Sequence, residues 1–187
     1  ILARGGSKRL KNKNILKFGG QPLIARTIKN LIKVKFLFED IVVSSDCKKI
    51  EKICSKEKVV FIKRPKYLSN SSATSEVSAL HLIKIYQKKY TKINYVILCQ
   101  VTSPFRRNAT IIKVMNLSKI FPRKQIVGVG LKSRKPNGVI YLSPVKTLEN
   151  GKSFSAKGYV PVSIKTKKES IDIDTKKDFL DACSYLN

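Results

Sequence analysis

Acidic side chains are scarce in this sequence. Twelve Asp and Glu stand against 39 Lys and Arg, giving a formal net charge of +27. Such a balance raises nucleic acid or an anionic membrane surface as a partner. Lys, however, greatly outnumbers Arg and is spread along the whole chain. Nucleic-acid faces favour Arg, whose planar fork pairs with phosphate and base edges. The charge is therefore read as a solvated Lys surface that attracts anionic substrates, with nucleic acid not expected as a partner. Histidine is almost absent: His81 stands alone, within an expected helix, where a packed or surface role is expected. Cys47, Cys54, Cys99 and Cys183 show no Cys-x-x-Cys spacing, so no zinc set is available. Scattered cysteines without a signal peptide point to a reducing, cytoplasmic location. No apolar run reaches the ~20 residues that span a bilayer, so no membrane partner is expected. The chain begins at Ile1 rather than Met, and its first strand is expected to be cut short.

The 187 residues form one expected domain, long enough to bury about 70% of the unfolded surface. Runs rich in β-branched residues at Ile41–Val43, Val59–Ile62, Tyr95–Cys99, Ile126–Val129, Val139–Leu142 and Val160–Ile164 read as strands. Amphipathic stretches at Pro22–Leu31, Cys47–Lys56, Thr74–Lys89, Asn108–Leu117 and Thr175–Tyr185 read as helices. This alternation predicts an α/β fold: a single-domain three-layer sandwich with a mostly parallel, Rossmann-like sheet. Ligands of such sheets bind beyond the carboxyl ends of the strands. The polar motifs follow strands, namely Arg4–Asn14, Ser44-Ser45-Asp46, Arg64-Pro65 and Gln100–Arg107, and should converge on one edge.

Residues 3–14, Ala-Arg-Gly-Gly-Ser-Lys-Arg-Leu-Lys-Asn-Lys-Asn, carry the strongest signal. Gly5 and Gly6 permit an unusual φ and a close ligand. Amides in such a turn can form a concavity for phosphate oxygens, and Arg4, Lys8, Arg9, Lys11 and Lys13 surround it with positive charge. A triphosphate is the expected guest. The loop lacks both the Walker A ending and the dinucleotide fingerprint. Near the other end stands Ser170-Ile171-Asp172-Ile173-Asp174-Thr175. In an extended segment Asp172 and Asp174 share one face while Ile171 and Ile173 share the other. Two adjacent carboxylates call for a cation, and Mg²⁺ held by carboxylates plus substrate phosphates meets that need. Capping of the last helix is a competing role for Asp174. Gln100-Val101-Thr102-Ser103-Pro104-Phe105-Arg106 offers amide, hydroxyl and guanidinium groups where a strand ends, and Asn137-Gly138 marks a turn before Tyr141.

In this order the motifs resemble the acylneuraminate cytidylyltransferases, the CMP-sialic acid synthetases. Residues 3–10 with Lys13-Asn14 are similar to that family's signature loop. Gln100–Arg106 is similar to its Leu-Gln-Pro-Thr-Ser-Pro-Phe/Leu-Arg motif, Asn137–Tyr141 to its Asn-Gly-Ala-Ile-Tyr, and Ile171–Thr175 to its Ile-Asp-Ile-Asp-Thr. The resemblance covers nearly the whole chain. It implies coupling of a nine-carbon α-keto acid sugar to CMP from CTP, with Mg²⁺ and release of pyrophosphate. Arg4, Gly5, Gly6, Ser7, Lys8, Lys13, Asn14, Arg64 and Ser75 would hold the nucleotide. Gln100, Ser103, Tyr141 and Phe154 would meet the sugar, and Asp172 and Asp174 the metal. Lys13, Asp172 and Arg4 would carry catalysis, with Asp172 or a metal-bound water as base. The sialic, legionaminic and pseudaminic acids are alternative substrates. The eight-carbon enzymes differ, with a loop resembling Ala-Arg-Tyr-Ala-Ser-Thr-Arg-Leu. One departure stands out. Between Val129 and Asn137 the chain has only Gly130–Pro136, where family members insert an arm that reaches across a dimer. The implied homodimer is thereby weakened, with Lys132, Arg134 and Lys135 the basic residues left there. A degenerate homologue that binds nucleotide with little turnover, and a basic nucleic-acid-binding protein, are the rival readings.

Overall fold

The computed structural model describes residues 1–7, 9–90 and 92–186. The β-branched runs form the strands expected of them, because such side chains pack well on a pleated surface. The elements in chain order are β1 (Lys17–Phe18), β2 (Gln21–Pro22), α1 (Leu23–Ile32), β3 (Val42–Ser45), α2 (Lys48–Lys56), β4 (Val60–Lys63) and α3 (Ser75–Tyr86). These are followed by β5 (Tyr95–Leu98), α4 (Asn108–Ile120), β6 (Ile126–Gly130), β7 (Pro136–Pro144), α5 (Val145–Glu149), β8 (Val160–Ile164) and α6 (Lys176–Cys183).

β3 and β4 pair in parallel, as crossover through α2 requires. The larger sheet runs β5-β7-β6-β8. Only its β6–β8 pair is parallel; β7 runs antiparallel to both β5 and β6. The sheet is thus mixed where a mostly parallel one was expected. The cause is connection length. Only residues 131–135 join β6 to β7, and a parallel return needs a crossover of about a dozen residues or more. Leu2 makes one parallel bridge to Ser44, extending the β3–β4 pair at its other edge.

The main core gathers Phe18, Leu23, Ile24 and Ile28 with Val43, Ile50, Ile111, Val114, Ile126, Ile140, Val162 and Ile173. Each fully buried aliphatic side chain of this kind contributes about 1.5–3 kcal/mol. Phe18 lies at its centre, edge-on to Phe105 and Phe179 at 5.6 and 5.8 Å. A second cluster joins Ala79, Ile83, Leu98, Val145, Leu148 and Phe154 beneath α3 and α5. Among the described residues no helix is long and apolar enough to cross a membrane. The four cysteines are free thiols.

Candidate active site

Three of the four polar motifs expected to converge meet at one edge of the sheets, while Ser44-Ser45-Asp46 does not line the cleft. A cleft of about 700 Å³ is lined by Arg4, Ser7, Arg9, Lys13 and Asn14 from the amino-terminal loop, and by Arg64 and Ser75 after β4. Gln100 and Thr102 after β5, Asn137, Gly138 and Tyr141 on β7, and Asp172 and Asp174 before α6 complete it.

The amino-terminal loop is shaped differently from the expectation. Neither Gly5 nor Gly6 has a positive φ; Asn12 does, at 57°. Both glycines lie outside the cleft lining, and the Gly5 amide donates to Asp46 Oδ1 at 2.7 Å rather than facing the cavity. Gly5 is needed for closeness instead: a Cβ there would stand 3.2 Å from Cys47 Cβ. Lys8 lies outside the described residues. Asn14 is buried, and its Nδ2 donates to the Arg4 carbonyl at 2.8 Å, closing the loop on itself. That closure turns Lys13 toward the carboxylates. The Arg4 guanidinium donates to the Asn70 carbonyl at 2.8 Å. Arg64, buried, donates to Ser44 through Nε and Nη2 at 3.0 and 2.9 Å, so it presents fixed charge to the cleft. Ser75 opens α3, behind the N-cap hydroxyl of Thr74.

Asp172 and Asp174 face the cleft together, while Ile173 between them is fully buried. The Ile173 amide donates to the Thr102 carbonyl at 2.8 Å, which pins this segment to the β5 exit loop. Lys13 Nζ donates to Asp174 Oδ1 at 2.8 Å, and Arg9 Nη2 stands 2.9 Å from Oδ2. Asp174 does not cap α6. Thr175 is the N-cap, locked in a reciprocal capping box with Asp178. Asp178 is held below the usual carboxylate range by the Thr175 amide and hydroxyl and by the Asp174 amide. Burial pushes Asp172 above that range and the Asp174 charge adds to the rise; Thr102 and Lys13 oppose it.

This donor set fits a hard divalent cation. Both donors are hard carboxylate groups that face the cleft side by side. No group of three or more His, Cys, Asp or Glu gathers among the described residues. An ion here would therefore complete its shell with substrate phosphates and water, as Mg²⁺ commonly does.

The opposite wall holds Gln100 against the β7 turn. Gly138 has φ +79°, and a Cβ on it would come within 2.7 Å of Gln100 Oε1 and 3.6 Å of Asp172 Oδ2. The Tyr141 hydroxyl accepts from the Gly138 amide at 3.2 Å. Burial raises the Tyr141 pKa. Arg106 is buried and bolts this wall together: its Nε donates to the Val139 carbonyl and its Nη2 to the Gln100 carbonyl at 2.7 Å. Two expected sugar contacts are absent from the lining. Ser103 is buried under the loop, its amide folded back to the Gln100 carbonyl at 3.4 Å. Phe154 sits in the second apolar cluster with its ring 6.1 Å from that of Tyr141, so it backs the wall rather than forming it. Its amide donates to Glu76 Oε1 at 2.9 Å.

Sequence reasoning gave Thr102 and Asn137 no site role and Arg9 only a share in the charge around the loop, yet all three line the cleft. The signal was available for Thr102 and Asn137, which stand inside the motifs that carried Gln100 and Tyr141.

A cytidylyltransferase family model matches residues 1–148. The CMP-N,N'-diacetyllegionaminic acid synthase of Legionella pneumophila is 31% identical over 216 aligned residues, covering 96% of this chain and 91% of that protein. The N-acylneuraminate cytidylyltransferase of Escherichia coli is 34% identical over 140 residues, covering 75% of this chain and 32% of that one. The chain thus spans nearly all of the first relative and about a third of the second. Its fold matches that of a CMP:2-keto-3-deoxy-manno-octonic acid synthetase complexed with CTP, at TM-score 0.75 and 14% identity, over 99% of this chain and 95% of that one. The cleft, the ordered motifs and these matches lead to one conclusion: the chain belongs to the cytidylyltransferase family of CTP-dependent nucleotidyltransferases.

Proposed function

We propose that this protein transfers CMP from CTP to the anomeric hydroxyl of a nine-carbon α-keto acid sugar. The new bond joins the anomeric oxygen to the α-phosphorus, the bond from the α-phosphorus to the bridging oxygen breaks, and pyrophosphate leaves with that electron pair. The observation that carries the reading is the meeting of Lys13 with Asp174, which sets a phosphate-seeking cation beside twin carboxylates in one nucleotide-sized cleft.

Each wall has a task. Arg4, Lys13 and Arg64 supply fixed positive charge for the triphosphate, and such preorganised charge is worth most where negative charge develops. Ser7, Asn14 and Ser75 add hydrogen-bonding groups on the nucleotide side. Gln100, Asn137 and Tyr141 give the sugar side amide and phenol groups that suit a polyol. Asp172, a carboxylate facing the same cleft, takes the hydroxyl proton. Mg²⁺ held by Asp172 and Asp174 would supply Lewis-acid screening of the phosphates. No protein nucleophile is required.

The test is direct. The protein is incubated with CTP, Mg²⁺ and a panel of sialic, legionaminic, pseudaminic and eight-carbon keto acids, and pyrophosphate and CMP-sugar are followed. A CMP-sugar from a nine-carbon acid is expected. Turnover of the eight-carbon acid alone, or of none, would overturn the reading.

A further inference from the structure

Asp174 is doubly occupied by cations before any ligand arrives. Lys13 holds one oxygen at 2.8 Å and Arg9 the other at 2.9 Å. Asp172, its neighbour on the same face, has no ion pair among the described residues. The two carboxylates therefore differ sharply in readiness. A dication approaching Asp174 meets a fixed ammonium and a guanidinium at contact distance, and like charges at that range repel strongly. We infer that Arg9 and Lys13 hold the cation position of Asp174 in the nucleotide-free protein, so that this carboxylate is released to a divalent ion only when an anionic ligand draws them away.

The physical basis is an exchange of partners. A polyphosphate offers several charged oxygens, and charge-assisted hydrogen bonds to it can replace those to one carboxylate. Lys13 has the reach to make this exchange from either side, since it lines the same cleft as Arg4 and Arg64. Arg9 is the more exposed half of the latch: its side chain is 69% exposed, against 14% for Lys13. The result is an order of assembly, nucleotide before or together with metal, which prevents a tightly held ion from blocking the cleft. The functional significance rests on the nucleotidyltransfer reading; the latch itself rests only on the observed contacts.

Manganese alone is the probe, with its free-ion electron paramagnetic resonance signal as the readout and no nucleotide present. Arg9→Gln is expected to tighten Mn²⁺ binding about two- to five-fold, the scale of an exposed ion pair. Lys13→Gln should tighten it about tenfold, as befits a less exposed charged hydrogen bond. Adding Asp174→Asn to either variant should remove the gain. Unchanged Mn²⁺ affinity in both single variants would overturn the inference, as would a gain that survives Asp174→Asn. An Asp174-dependent gain in a protein that turns over no keto acid would uphold the latch and refute the functional reading. Turnover without the gain would do the reverse.

Discussion

Lys13 Nζ and Asp174 Oδ1 lie 2.8 Å apart, although 161 residues of chain separate them. This contact closes the cleft: it joins the amino-terminal loop to the segment before α6. It also makes Lys13 the residue whose loss should be felt on both substrates' chemistry. Lys13→Ala removes the proposed phosphate partner and leaves Asp174 with Arg9 alone. We expect kcat/KM to fall at least about tenfold, on the scale of a lost charged hydrogen bond, with CMP-sugar formation as the assay.

Gly138→Ala should separate the two halves of the site. The position has φ +79°, and the added methyl would collide with Gln100 Oε1. Backbone strain of this kind costs of order 1–3 kcal/mol, readable as a lowered thermal midpoint. Because Gln100 belongs to the wall proposed to meet the sugar, KM for the keto acid should rise while CTP affinity by calorimetry stays within about twofold.

The carboxylate segment depends on its helix. Thr175→Ala deletes the hydroxyl that accepts from the Asp178 amide and breaks the capping box. A loss of about 1 kcal/mol in denaturant unfolding is expected. Thr175→Ser, which keeps the hydroxyl, should recover most of it.

Thiol chemistry reports on the core. Cys54, on α2, is fully buried in the main core, and burial pushes its thiol up to about 11. The folded value exceeds the unfolded one, so this group's contribution is present below the unfolded pKa and is lost as pH rises toward 11. Cys54→Ala should therefore show a shallower decline of stability between pH 9 and pH 11 than the parent protein, about the range set by these values. At neutral pH, Cys47 and Cys183, both half-buried, should react with a disulfide reagent well before Cys54 and Cys99.

Much of this architecture was legible because it is periodic. The β-branched runs at 42–45, 60–63, 95–98, 126–130 and 160–164 lie where the pattern placed them. The β1–β2 hairpin around Gly19-Gly20 was not seen, since two-residue strands carry no period, yet it delivers Phe18 to the centre of the core. The antiparallel course of β7 follows from a connection length that was visible, but its sheet neighbours were not. In the site, Arg4, Lys13, Asn14, Gln100, Tyr141, Asp172 and Asp174 line the cleft because each follows a strand end or alternates with a buried residue. Gly5, Ser103 and Phe154 turn elsewhere for reasons of packing: a neighbouring carboxylate, a tight loop and an apolar cluster. Such directions are tertiary and leave no mark in spacing. The double grip on Asp174 is of the same kind, because only folding brings Arg9 to it.

The account stands on the loop and the twin carboxylates serving one nucleotide. Calorimetric titration of CTP with Mg²⁺ into the parent protein, Lys13→Ala and Asp174→Asn tests this most directly. Both variants should bind CTP at least about tenfold more weakly than the parent, at the scale of a charged contact. CTP binding that is unchanged in both would contradict the claim.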